Sequence, residues 1–138
     1  MTPFSALLRL AGLSLREASE FHRVPPATVN SWSSGRRTCP PGVIQELQSL
    51  ISKQHAAAAA AVAQIEAARK GGDIDAVTLG FPSDDQEAKS IGWPSVGAWG
   101  AVAARIIAEA PAPIVLAPRG ATPATAAAAD IRDAADRT

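Results

Sequence analysis

Apolar residues recur at helical spacing through the first half of the chain. Phe4, Leu7, Leu8 and Ala11 share one face of a first helix over residues 4–11, which Pro3 opens and Gly12 ends. Ser14, followed three residues later by Glu17, forms a capping box and predicts a second helix over residues 15–21. Its inward face is Leu15, Ala18 and Phe21, and residues 22–24 make a turn. Pro25-Pro26 opens a third helix that runs to about Ser33, with Val24, Val29 and Trp32 buried and Ser34-Gly35 as its stop. Pro40-Pro41 starts a fourth. Its stripe is Val43, Ile44, Leu47, Leu50 and Ile51, continued more thinly by Ala58, Ala61, Val62 and Ile65. Arg69-Lys70 and then Gly71-Gly72 end it, as cations and glycine suit a helix C-terminus. Unbroken, it has roughly 29 residues and spans about 44 Å. A small domain cannot cover that length alone, so it should pack on a second domain or a second copy.

The pattern then changes period. Residues 75–81 (DAVTLGF) alternate Val77, Leu79 and Phe81 on one face of a strand. Ser83 with Asp84, Asp85 and Gln86 caps a short helix over residues 84–90. A longer helix over residues 95–109 has Val96, Trp99, Val102, Ala103, Ile106 and Ile107 as its apolar side. Residues 111–118 (PAPIVLAP) form a second strand bracketed by prolines, as edge strands often are. The tail over residues 119–138 has Ile131 as its one large apolar anchor, a loosely docked helix or a mobile segment. The expected fold is therefore mainly α with a small α+β C-terminal part. Residues 1–50 form a helical unit, 51–72 a connecting helix, 73–118 a β-α-α-β unit and 119–138 an Ala-rich tail. Two strands and two helices make a thin domain that should share its core with a second chain.

Charge adds one asymmetry. The net charge is zero, but residues 1–40 hold five arginines against two acids, and residues 51–138 hold eight basic and ten acidic groups. A basic N-terminal part with an acidic C-terminal part suits a nucleic-acid reader joined to an assembly domain. Cys39 is the single cysteine, so no disulfide forms within the chain and a reducing, cytoplasmic setting is expected. The start is a poor signal peptide, and no apolar run is long enough to span a membrane. No catalytic triad, metal-ligand cluster or phosphate-binding glycine loop emerges, so neither enzyme activity nor a cofactor is expected. His22 and His55 are isolated, and Asp84, Asp85 and Glu87 are explained by the dipole of a helix N-terminus.

The candidate chemistry lies in residues 24–37, VPPATVNSWSSGRR. Between its buried anchors this helix carries small polar residues, and it ends in paired arginines. A helix, a tight turn and such a second helix is the layout of a helix-turn-helix, whose second helix enters the DNA major groove. Pro26, Ala27, Thr28, Asn30 and Ser31 are the candidate base contacts. Asn30 can pair in bidentate fashion with adenine, and Ala27 or Pro26 can touch a thymine methyl. Arg23, Ser34, Arg36 and Arg37 are the candidate phosphate contacts.

The same segment resembles the helix-turn-helix of phage-repressor-like regulators, and more specifically that of the YdiL-like and anti-CRISPR-associated autorepressors. Ala18, Phe21, Arg23 and Val24 match the family's turn, and Trp32, Ser34, Gly35, Arg36 and Pro40 match the ending that leads into its long helix. Residues 91–106 (IGWPSVGAWGAVAARI) are similar to the family's C-terminal I-G-W segment and following helix. The sequence departs from the family at Ser33, where Glu is frequent, and in its smaller reading residues Pro26, Ala27 and Asn30. The resemblance implies a dimeric repressor with a C-terminal dimerisation domain, bound to double-stranded DNA at an inverted repeat in its own promoter. Candidate dimer contacts are Val77, Leu79, Phe81, Trp93, Trp99, Ile106, Ile114 and Leu116. Alternatives are a ring-forming DNA-binding subunit, such as a small phage-packaging adaptor, and an antitoxin. RNA is an alternative partner for the same basic face.

Overall fold

Eight elements follow in chain order, six helices and two strands, in a computed structural model that describes residues 1–72 and 75–120. The first three helices are α1 (Pro3–Ala11), α2 (Leu15–His22) and α3 (Pro26–Ser34), followed by the long α4 (Pro41–Gly71). The second half is β1 (Val77–Phe81), α5 (Asp85–Ser90), α6 (Val96–Glu109) and β2 (Ile114–Pro118). The chain is mainly helical with a small sheet, and the expected tail helix lies outside the described residues. Among the described residues no helix is long and apolar enough to cross a membrane.

Local chemistry sets most boundaries. Thr2 and Ser5 form a capping box at the start of α1, and Ser14 and Glu17 form the expected one at α2. Gly12 and Gly35 end α1 and α3 in the left-handed conformation, with φ of 75° and 86°. The cap of α5 is Asp84 rather than Ser83. The Asp84 carboxylate accepts from the Glu87 amide at 2.8 Å, while the Ser83 hydroxyl and amide both donate to the Glu87 carboxylate. Those bonds from Ser83, with Arg119 at 3.5 Å, hold the Glu87 carboxyl below the usual range.

The two strands pair in parallel, Val77 opposite Ile114 through Phe81 opposite Pro118. Their crossover is α5 and α6, and Val77, Leu79 and Ile114 pack against the far half of α4. The cluster there is Ala58, Val62 and Ile65 of α4 with Val102 and Ile106 of α6.

Several side chains differ from the sequence pattern. Leu15 is 43% exposed, because Leu13 in the preceding turn, 6% exposed, takes the place in the core. His22 is the last residue of α2 rather than part of the turn, and its ring is buried against Phe4 and Phe21. Its Nδ1 lies 3.3 Å from Glu46 of α4, an ion-pair separation whose alignment is not that of a hydrogen bond. On α6 the buried face is Ala98, Val102, Ala103 and Ile106, and Ile107 is 48% exposed. The face has rotated toward Ala98 because α6 must approach α1 closely.

That approach joins the halves, so residue 50 is not a break in packing. Ala98 belongs to the N-terminal core with Phe4, Leu8, Val29, Trp32 and Leu47. Gly12 and Gly97 meet backbone to backbone, and a Cβ on either would collide with the carbonyl oxygen of the other. Beside them the fully buried Gln54 of α4 donates through Nε2 to Ala11 O at 2.9 Å and Ala98 O at 3.0 Å. One amide therefore ties α1, α4 and α6, each bond contributing about 1 kcal/mol net. Lys53, over the Trp93 ring at 4.6 Å and bonded to Gly92 O, adds a further link.

Glycine to alanine inside a helix normally stabilises by about 0.5–1 kcal/mol. Gly100→Ala, with open space around its Cβ, is expected to follow that rule. Gly97→Ala is expected to reverse it, costing about 1–3 kcal/mol because α6 must move off α1. Thermal unfolding of the two variants beside the parent protein checks the opposite signs.

Candidate nucleic-acid interface

The surface around α3 begins with its own burial pattern. Val29 and Trp32 point into the core, and the Trp32 ring meets Phe4 edge-on at 5.7 Å. Holding α3 needs only these anchors and the half-buried Val24. The outer face is left to Pro26, Ala27 and Asn30, which are exposed, with Thr28 and Ser31 half-buried along its sides. Pro25 and Pro26 supply no N–H, and the Pro25 carbonyl accepts from Thr28 and Val29. The Ala27 amide is thus the first-turn N–H of α3 without an intrahelical partner. The side chain of Asn30 makes no hydrogen bond among the described residues, so its donor and acceptor are both available to a ligand.

The turn before α3 is tightly specified. Arg23 adopts the left-handed conformation (φ 58°, ψ 46°), and Val24 N donates to Ser19 O at 3.1 Å. The Ser19 hydroxyl donates back to Val24 O at 2.6 Å. Arg23 is the one residue other than glycine with positive φ among the described residues. Glycine is the usual occupant of such a helix end, since a Cβ there costs about 1 kcal/mol. Arginine at that position therefore carries a small conformational cost, and its side chain is exposed beside the start of α3.

Beyond α3 the chain turns through Ser34–Arg37. The Arg37 amide donates to Ser31 O at 3.2 Å, and the Ser34 hydroxyl donates to Ser31 O at 3.3 Å while accepting from the Arg36 amide. Ser34 thus shapes the turn through bonds it already makes. Arg36 and Arg37 are exposed. The four ion pairs among the described residues use neither of them, nor Arg23. Three guanidinium groups with no carboxylate partner among the described residues flank one polar helix face. At the start of α4 only the Gly42 amide lacks an intrahelical partner, because Pro41 has no N–H and Pro40 O accepts from Val43 and Ile44.

The candidate dimer residues are placed differently. Ile106 is 6% exposed against α4 and has little surface left for a second chain. Val77, Leu79 and Ile114 face the same cluster, and Trp93 bridges both cores. Trp99 and Phe81 are half-buried. Of the eight, only Leu116 is an exposed side chain, at 45%, beside Val115 at 49% on the same strand. The sequence reading also missed Gln54. Its signal was present, because position 54 continues the stripe of Leu47, Leu50 and Ala58 with a polar residue.

Arg23→Gly is expected to raise stability by about 1 kcal/mol, by removing a Cβ from the left-handed region. The same change is expected to lower affinity for duplex DNA at low salt. Stability by thermal melting and affinity by titration check the pair, and undiminished affinity would leave the arginine without a role in binding.

No protein-family model matches this chain, and no curated protein matches it.

Proposed function

We propose that the chain is a sequence-specific DNA-binding repressor that acts as a homodimer on an inverted repeat, most simply in its own promoter. The observation that carries this reading is the polar outer face of α3 flanked by Arg23, Arg36 and Arg37, which are exposed and make no ion pair among the described residues. In the helix-turn-helix reading, α2 crosses the phosphate backbone and α3 enters the major groove. Asn30 reads a base edge, with Ala27 and Pro26 small enough for close approach and Thr28 and Ser31 at the sides. The arginines fix register on phosphate and supply the salt-dependent part of affinity.

The resemblance to the YdiL-like and anti-CRISPR-associated autorepressors supports the same assignment. In this reading residues 1–50 bind DNA, residues 51–72, the rest of α4 and its cap, connect, and residues 73–118 supply the dimer contact. Two copies set α3 and its mate about 34 Å apart, one turn of the duplex. The open edge of β2, with Val115 and Leu116 exposed, is the part of that second half best suited to a second chain. Repression follows from occupying the promoter.

The test is binding to DNA from the protein's own upstream region, against scrambled DNA, at two salt concentrations. Asn30→Ala is expected to weaken binding to the true site by about 1–3 kcal/mol and to relax discrimination. Arg36→Ala is expected to weaken binding to every sequence alike and to reduce the salt slope by about one. Equal affinity for both DNAs would overturn sequence-specific repression and favour the ring-forming assembly subunit.

A further inference from the structure

A cavity of about 280 Å³ lies at the C-terminal end of the candidate reading helix. It opens between the start of α1, the end of α3 and the start of α4, and its lining includes Thr2, Pro3 and Gly35. Phe4, Trp32 and Ile44 form apolar walls, and Arg37, Thr38 and Cys39 contribute to the lining from the loop before α4. Phe4, 1% exposed, closes the space from behind, so the accessible apolar surface comes from the half-buried Ile44 and the 7% of Trp32 that remains exposed.

The polar groups divide into used and unused. The Thr2 hydroxyl is consumed, donating to Ser33 O at 3.0 Å and accepting from the Ser5 amide. The guanidinium of Arg37 and the hydroxyl of Thr38 make no hydrogen bond among the described residues. A cavity walled by Ile44 and the small accessible part of Trp32, with one cation and one hydroxyl free of hydrogen bonds among the described residues, fits a small molecule with an apolar body and an anionic end.

We propose that this cavity binds a small aromatic carboxylate, its ring against Ile44 and the accessible part of Trp32 and its carboxylate on Arg37 and Thr38. Resting on the reading of Arg37 as a phosphate contact, the proposal makes the site regulatory. Arg37 cannot hold a ligand carboxylate and a DNA phosphate with the same donors, so ligand and DNA oppose one another.

Cys39 provides a reporter that needs no DNA. It is the one cysteine of the chain and lines the cavity. Burial pushes its thiol pKa up, so alkylation is slow enough to time. The probe is phenylacetate, with 2-phenylethanol and acetate as controls, and the measurement is the rate of Cys39 alkylation by iodoacetamide. Phenylacetate is expected to slow the reaction saturably, about tenfold at ten times its Kd by mass action, and neither control should match it. Arg37→Gln is expected to raise that Kd about tenfold, the loss of one charge-assisted contact. Ile44→Phe, which fills the cavity, is expected to abolish protection. Thr38→Val, an exposed change that leaves the core intact, is expected to weaken protection without altering the fold.

An unchanged alkylation rate up to the solubility of phenylacetate would overturn the site. Equal protection by 2-phenylethanol would overturn the role of Arg37, and protection by acetate would overturn the apolar walls. Protection with no change in DNA affinity, in a protein that does bind its promoter, would overturn the regulatory coupling and leave the site standing. Protection in a protein that does not discriminate its promoter would overturn the DNA reading alone.

Discussion

The backbone contact between Gly12 and Gly97 is the constraint on which the arrangement of this chain depends. Two helices meet there with no side chain between them, so α1 and α6 sit at a separation that no other residue pair would permit. Gln54 exploits that proximity, since only a close pair of backbones brings Ala11 O and Ala98 O to the two donors of one amide. Ser95, fully buried, caps α6 at the same place by accepting from Ala98 N. A buried polar group is stabilising when it is partnered; both donors of the Gln54 amide are used, while its buried Oε1 has no hydrogen-bond partner among the described residues.

This join explains how nine-residue helices can present a precise surface. Helices that short are marginal alone and take their stability from packing. Phe4 and Leu8 of α1, Val29 and Trp32 of α3, and Leu47 and Leu50 of α4 form one core, and Ala98 of α6 closes it. With its inner face secured by Val29 and Trp32, α3 can leave the opposite face polar and small. The exposed arginines are not needed to hold the fold. Their grouping at the two ends of α3 is therefore open to a role in binding.

The helices were legible because their signals are local. Pro3, Ser14, Pro26, Pro41, Gly12 and Gly35 act within one turn of themselves, and each marks a boundary in the sequence. The strands were legible from alternation at Val77, Leu79 and Phe81. What was not legible depends on distant partners. Nothing near Gly12 announces Gly97, and nothing near Leu15 says that Leu13 will take its place. Ile107 reads as apolar and helical, yet the face of α6 is chosen by Gly97 and Ala98. The same reasoning applies to the candidate site. Residue types and spacing placed Asn30, Arg36 and Arg37 on the outside, while the prior engagement of Ser34 emerged only in three dimensions.

The proposed nucleic-acid-binding face is the surface from Arg23 to Arg37, carried on one body with the second half. The direct measurement is a map of amide chemical shifts during titration of the full chain with duplex DNA from its upstream region. Perturbations are expected at residues 23–37 and at Gly42, with the Gly97–Ala98 amides unmoved because the join stays closed. Perturbations centred instead on β2 or the outer side of α6, with residues 26–31 silent, would contradict it.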